Sequence, residues 1–217
     1  MGAKSTLVTG MTNTDHSTRT LLLSQHEPGW LIVSRGSSDN IDALAEQEST
    51  GHAQLKAFYI TNLTASSNPY DFTTNGRVLG WGMRNAVGVA EEPTTGVIFT
   101  VENSADDVKR NGTDIHGSNP AEEMNYVGTL KSTEHQGGNY GYPGCLSVWD
   151  TNIPNIGTMT VGSQFAVDKT TQTLNVTDAD CDQRVKPRLV FHPHSAPLDI
   201  KFTPDGSRAY VSFHGSW

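Results

Sequence analysis

Three segments of the chain share one form: an apolar run, a turn containing Pro and Gly, a second apolar run and a polar end. They are TLLLSQHEPGWLIVS at 20–34, VGVAEEPTTGVIFTV at 87–101 and LDIKFTPDGSRAYVS at 198–212. Short alternating runs on either side of Pro and Gly read as antiparallel hairpins. The hairpins recur at uneven spacing with long polar excursions between them. That pattern fits β-propeller blades, each burying its faces against its neighbours, better than a β-sandwich with its more even strand spacing. At 35 % apolar residues, with 21 Gly and 10 Pro among 217, the composition also suits short strands and many turns rather than helices.

The fold class expected is therefore all-β. A propeller closes with about four to eight blades, and residues 1–217 hold material for three or four. The chain is read as a single partial propeller domain, a fragment of a longer one. Further strands are expected over 52–61, 124–130 and 164–167, with 73–80 leading into the central hairpin. Residues 106–120 read as a loop. The run Gly137 to Pro143 (GGNYGYP) excludes a regular strand interior, and Ile41 to Glu48 is open to one helical turn or two, which Ala and Glu alone do not decide.

The net charge of −8 comes with no Lys/Arg cluster, which argues against nucleic acid or an anionic membrane as partner. No apolar run approaches the roughly 20 residues that span a bilayer. The amino terminus carries no secretory signal, yet Asn62, Asn111 and Asn175 each open a glycosylation sequon, which points to a secreted glycoprotein whose leader is absent. Cys145 and Cys181 are either two reduced thiols or one disulfide.

Chemistry-bearing residues gather at strand ends. Asp15-His16 precedes the first hairpin: a neutral imidazole is a usable general base that an adjacent carboxylate could orient or make more basic, or the pair is simply a solvated loop. Arg84-Asn85 precedes the second hairpin and offers a permanent cation and an amide to a carboxylate or quinone ligand, unless the guanidinium stacks on Trp30 or Trp81. Glu102 to Asp107 follows the same hairpin with three carboxylates and exposed carbonyls, oxygen ligands that a hard cation prefers, without the EF-hand pattern. Antiparallel strands bring the two ends of that hairpin to one sheet edge. His192 and His194 make only half a zinc site, and His194 is better placed as a single polar group at a strand entrance. There is no Gly-x-Ser-x-Gly, P-loop or dinucleotide fingerprint.

The blocks GWGMRNAVGVAEEPTTGVIFTVENSADD, NPAEEMNYV, GGNYGYP, HSAPLDIKF and FHGSW, in this order, resemble the soluble quinoprotein glucose/sorbosone dehydrogenases. The resemblance is strongest to the fungal-type pyranose dehydrogenases that depend on pyrroloquinoline quinone (PQQ), also called L-sorbosone dehydrogenases. It implies a six-bladed propeller with PQQ and Ca²⁺ over its axis and a small-molecule sugar as substrate, and an external electron acceptor such as a cytochrome domain is expected. By motif it makes His16, with Asp15, the base that removes the hydroxyl proton. Arg84 and Asn85 fall beside the cofactor, the Ser104 and Ala105 carbonyls on the calcium, and His194 at the cofactor edge. Val87 stands where bacterial relatives carry a polar residue, and cofactor residues of the later blades lie beyond Trp217. The alternatives are a non-catalytic extracellular propeller that binds glycans or proteins, and a calcium-dependent lactonase-type hydrolase.

Overall fold

The computed structural model describes residues 5–64, 66–133, 136–168 and 175–215; Ser216 and Trp217, the end of the FHGSW block, lie outside them. The chain is mostly β. Three β-layers follow one another. The first is a five-stranded sheet in which Leu21–Leu23, Trp30–Arg35, Gln54–Tyr59 and Arg77–Trp81 run as an antiparallel meander, and Gly138–Asn139 joins its far edge in parallel. The second is a four-stranded meander of Ala86–Glu91, Val97–Glu102, Glu122–Thr129 and Leu189–Phe191. The third is the hairpin Pro197–Phe202 with Ala209–Phe213.

Alternation along the strands decides what lies between the layers. Ile32, Leu55 and Leu79 of the first sheet meet Val89, Ile98 and Val127 of the second in one core. On the other face of the second sheet, Ala90, Val101 and Phe99 pack against Ile200, Phe202 and Val211 of the hairpin. The outermost faces keep large apolar residues in the open: Leu21 and Leu23 on the first layer, Tyr210 on the last. Gly88 lets the hairpin approach, since a Cβ there would meet the Asp199 backbone at 2.9 Å.

The predicted hairpins are all present, and the structure adds elements that local pattern did not signal. Gly138–Asn139 shows that the GGNYGYP run does contribute a strand, but one of only two residues on a sheet edge. The expected loop 106–120 contains the small ladder of Lys109–Arg110 with Thr113–Asp114. Cys145–Ser147 pairs with Gln164–Ala166. The α-helix Asp178–Asp182 is polar enough to escape a periodicity search. It is held by a capping box between Thr177 and Asp180, by the Arg110–Asp178 ion pair at 2.8 Å and by the Cys145–Cys181 disulfide. The two cysteines are thus paired rather than reduced.

Candidate functional site

The meander connectivity sends the start of every odd strand and the end of every even one to the same side of the layers. His16 lies ahead of Leu21–Leu23, Arg84-Asn85 ahead of Ala86–Glu91, Ser104-Ala105 behind Val97–Glu102, and His194 ahead of Pro197–Phe202. All of these residues line one cleft of about 230 Å³, together with Asn103, Asp106, Pro120, Glu122 and Ala196. Roomier clefts of about 480 and 580 Å³ lie elsewhere, but they lack this convergence of imidazole, guanidinium and carboxylate. Of the predicted site residues only Asp15 stays outside, exposed, with its carboxylate 3.9 Å from His16 Nε2.

His16 is oriented by backbone. Its Nδ1 lies 3.1 Å from the Ser37 carbonyl and 2.9 Å from Ser37 Oγ, and the Ser37 hydroxyl already donates to the Asp39 carbonyl at 2.8 Å. Both atoms therefore accept from the imidazole, which carries its proton on Nδ1 and its lone pair on Nε2. Burial pushes the ring below its ordinary pKa, the Arg84 charge pushes it further, and Asp15 pulls the other way. The ring is neutral at pH 7. The end of the strand Trp30–Arg35 passes between two site residues only because position 36 is glycine. A Cβ there would sit 2.7 Å from both Asn85 Oδ1 and His16 Cβ.

Arg84 is buried and donates from Nε to the Asn40 carbonyl at 3.0 Å, from Nη2 to Asn40 Oδ1 at 2.9 Å and from Nη1 to the Asn103 carbonyl at 3.3 Å. Three of its five N–H donors are thus spent, and two make no hydrogen bond among the described residues. It stacks on neither candidate tryptophan; Trp30 carries Arg77 instead, 5.0 Å above its ring. Asn85 donates to Asn103 Oδ1 at 3.2 Å, and its carbonyl accepts the Asn103 N–H at 3.1 Å, which joins the two ends of the central hairpin.

The Ser104 N–H donates to Glu122 Oε2 at 2.7 Å, and the Asp106 N–H donates to Asn40 Oδ1 at 2.8 Å. The carbonyls of Ser104 and Ala105 accept no hydrogen bond among the described residues. Glu122 also receives the Ala196 N–H at 3.3 Å, and burial raises its pKa. Two rigid carbonyl oxygens beside a carboxylate are a donor set suited to a hard cation such as Ca²⁺. A guanidinium with N–H groups to spare suits an anionic, carboxylate-bearing quinone.

The predicted acidic run divides. Glu102 turns inward, opposite Glu123 and bonded by Asn125 at 3.1 Å, where burial and then the Glu123 charge push its carboxyl well up. Asp106 and Asp107 stay at the rim, where their oxygens and a His116 ring nitrogen lie within 4.8 Å of one another. His194 Nε2 is 2.6 Å from the His116 carbonyl, and its φ of +57° turns the chain into the cleft just before Ala196.

Sequence reasoning missed Ser37, Asn40 and Glu122, whereas Asn103 lay within the polar run 102–107 expected at that sheet edge. Glu122 had a signal, a doubled glutamate at the entrance of an otherwise apolar strand. Asn40, in a Ser/Asp/Asn run, had none.

A TrAA12-like family model matches residues 1–217. A pyrroloquinoline quinone-dependent sugar dehydrogenase of Hypocrea jecorina (strain QM6a) is 53 % identical over 213 residues, 97 % of this chain and 49 % of that protein. A pyrroloquinoline quinone-dependent pyranose dehydrogenase of Coprinopsis cinerea is 39 % identical over 218 residues, 98 % of this chain and 29 % of that protein. Among solved structures, the calcium structure of the Trichoderma reesei Carbohydrate-Active Enzymes Family AA12 protein superposes with a TM-score of 0.93 at 52 % identity, over 97 % of this chain and 52 % of that one. The holo form of the pyranose dehydrogenase PQQ domain from Coprinopsis cinerea gives 0.86 at 37 % identity, over 97 % and 51 %. The chain thus spans half or less of the curated relatives it matches.

Proposed function

The chain belongs to the TrAA12-like family, and from that premise we propose that it forms part of a PQQ- and Ca²⁺-dependent dehydrogenase. The enzyme oxidises a hydroxyl of a pyranose or aldose and passes the electrons to an external acceptor such as a cytochrome domain. One observation carries the reading. A neutral histidine with its lone pair on Nε2, a guanidinium with N–H groups to spare and two carbonyls without hydrogen bonds line one cleft. Relatives with PQQ in their names support the choice of quinone.

Arg84 and Asn85 would hold the anionic quinone, with His194 at its edge, and the Ser104 and Ala105 carbonyls would hold Ca²⁺ with Glu122 balancing its charge. When bound, PQQ supplies the two-electron oxidant that takes the hydride from the sugar carbon. His16 takes the accompanying hydroxyl proton on Nε2, a contribution of about 10²- to 10⁴-fold for a positioned base. The Ser37 carbonyl keeps the other ring proton on Nδ1, and burial, with the Arg84 charge, keeps Nε2 free by favouring the neutral imidazole.

On this reading the three β-layers are consecutive blades of a partial six-bladed propeller. Leu21 and Leu23 on one outer face, and Tyr210 on the other, are the surfaces on which the remaining blades pack. The disulfide and the exposed sequon asparagines Asn62, Asn111 and Asn175 favour an extracellular glycoprotein.

Titrating the full-length protein with PQQ, with and without Ca²⁺, tests the proposal. Bound-quinone absorbance that requires Ca²⁺, disappears with a chelator and bleaches on adding an aldose is expected. No quinone binding in the presence of Ca²⁺ would overturn it and return the field to a glycan-binding propeller or a lactonase.

A further inference from the structure

Asn40 lies in the connection that follows Trp30–Arg35 and touches both halves of the cleft. Its Oδ1 accepts from Arg84 Nη2 at 2.9 Å and from the Asp106 N–H at 2.8 Å, while its Nδ2 donates to the Asp106 carbonyl at 2.7 Å. Its own carbonyl accepts from Arg84 Nε at 3.0 Å and from the Tyr142 hydroxyl at 2.9 Å. One side-chain amide thus pairs with both polar groups of the Asp106 backbone, as a neighbouring strand would, and grips the guanidinium at the same time.

The opposite end of the same turn is held by Glu122, which takes the Ser104 N–H at 2.7 Å. Between these anchors the Ser104 and Ala105 carbonyls are fixed yet accept no hydrogen bond among the described residues. Backbone oxygens offered to a cation need that arrangement, because a flexible turn would have to be ordered at the cost of binding free energy. No sheet ladder and no backbone–backbone hydrogen bond reaches residues 104–107 among the described residues, so the ordering there comes from side chains. Tyr142 steadies the connection from below. Its hydroxyl accepts the Asp42 N–H at 2.7 Å while donating to Asn40, and its ring is buried.

We infer that Asn40 is a positioning residue for the cofactor site, one side chain that holds the carbonyl pair and the Arg84 guanidinium in a single geometry. The inference rests on the dehydrogenase reading above. It adds that the cation-holding and quinone-facing halves of the cleft are locked together by a residue that touches neither ligand.

The experiment uses the full-length protein as wild type, Asn40→Ala and Asn40→Ser. Calcium binding to the PQQ-free protein is measured by calorimetry, PQQ binding by absorbance at fixed Ca²⁺, and folding by the thermal midpoint. Asn40→Ala loses every side-chain bond and is expected to weaken both ligands about tenfold, the worth of one to two hydrogen bonds. The serine hydroxyl is shorter and has no amide N–H for the Asp106 carbonyl, so Asn40→Ser is expected to weaken both ligands in the same direction as alanine and by less. It also serves if the alanine variant does not fold. A lowered thermal midpoint with both affinities within about twofold of wild type would mean a merely structural role and overturn the inference. Failure of the wild type to bind either ligand would overturn the dehydrogenase reading itself.

Discussion

Two turns of this molecule present clustered backbone carbonyls, and they differ in what faces those oxygens. In the turn at 72–75, the carbonyls of Phe72, Thr73 and Asn75 receive the Lys56 ammonium at 2.7, 3.1 and 3.4 Å. Lys56 is buried on Gln54–Tyr59, 5.3 Å from the Phe72 ring centre, and its three N–H donors are all spent. In the turn at 104–106, the carbonyls of Ser104 and Ala105 accept nothing among the described residues, and the Glu122 carboxylate holds the Ser104 N–H behind them. The first cluster is closed by the chain's own cation and is part of the structure. The second is held just as firmly, with its oxygens left unpaired and an anion behind them. Carbonyl oxygens fixed on a cleft wall without an internal hydrogen bond are open to a ligand or to water.

The largest test lies at the open cluster. His16→Ala is expected to cut sugar-dependent dye reduction by the full-length protein about 10²- to 10⁴-fold while leaving PQQ and Ca²⁺ binding in place. Turnover close to wild type would remove the histidine from the chemistry and leave the cleft as a binding site only.

The closed cluster should respond in stability instead. Lys56→Met leaves one buried and two part-buried carbonyls without their donor, and a loss of about 1–3 kcal/mol is expected in denaturant unfolding of the full-length protein. Calcium binding at the other turn should be unaffected. Ligand affinity that falls with stability unchanged would break the contrast between the two turns.

The smallest effect is on pH dependence. Asp15 raises the pKa of His16, against the burial and the Arg84 charge that lower it. Asp15→Asn is therefore expected to move the acid limb of the pH–rate profile further below the ordinary histidine range, by a fraction of a unit, because the carboxylate is exposed and solvent-screened. A shift to higher pH would contradict the raising effect of the Asp15 charge on the ring.

Much of the site was legible because catalytic chemistry uses few residue types. A histidine, an arginine and an acidic, carbonyl-rich turn, each at a strand end, can be picked out one by one. Asn40 could not be, since an asparagine among serines and aspartates differs in no local way from a solvated loop. Glu122 and Glu123 look alike in sequence. Register decides that one faces the cleft while the other faces Glu102 and Asn125.

The fold divides along the same line. Period-two alternation and Pro/Gly turns are local properties, so the hairpins at 20–34, 87–101 and 198–212 were set by the sequence alone. The short strands Cys145–Ser147 and Leu189–Phe191 and the polar helix Asp178–Asp182 exist because of partners far along the chain. The same is true of the cleft. Its residues are separated by up to 180 positions, from His16 to Ala196. Which of their hydrogen bonds are spent on one another, and which carbonyls are left for a cation, depends on distances that only the packed layers create.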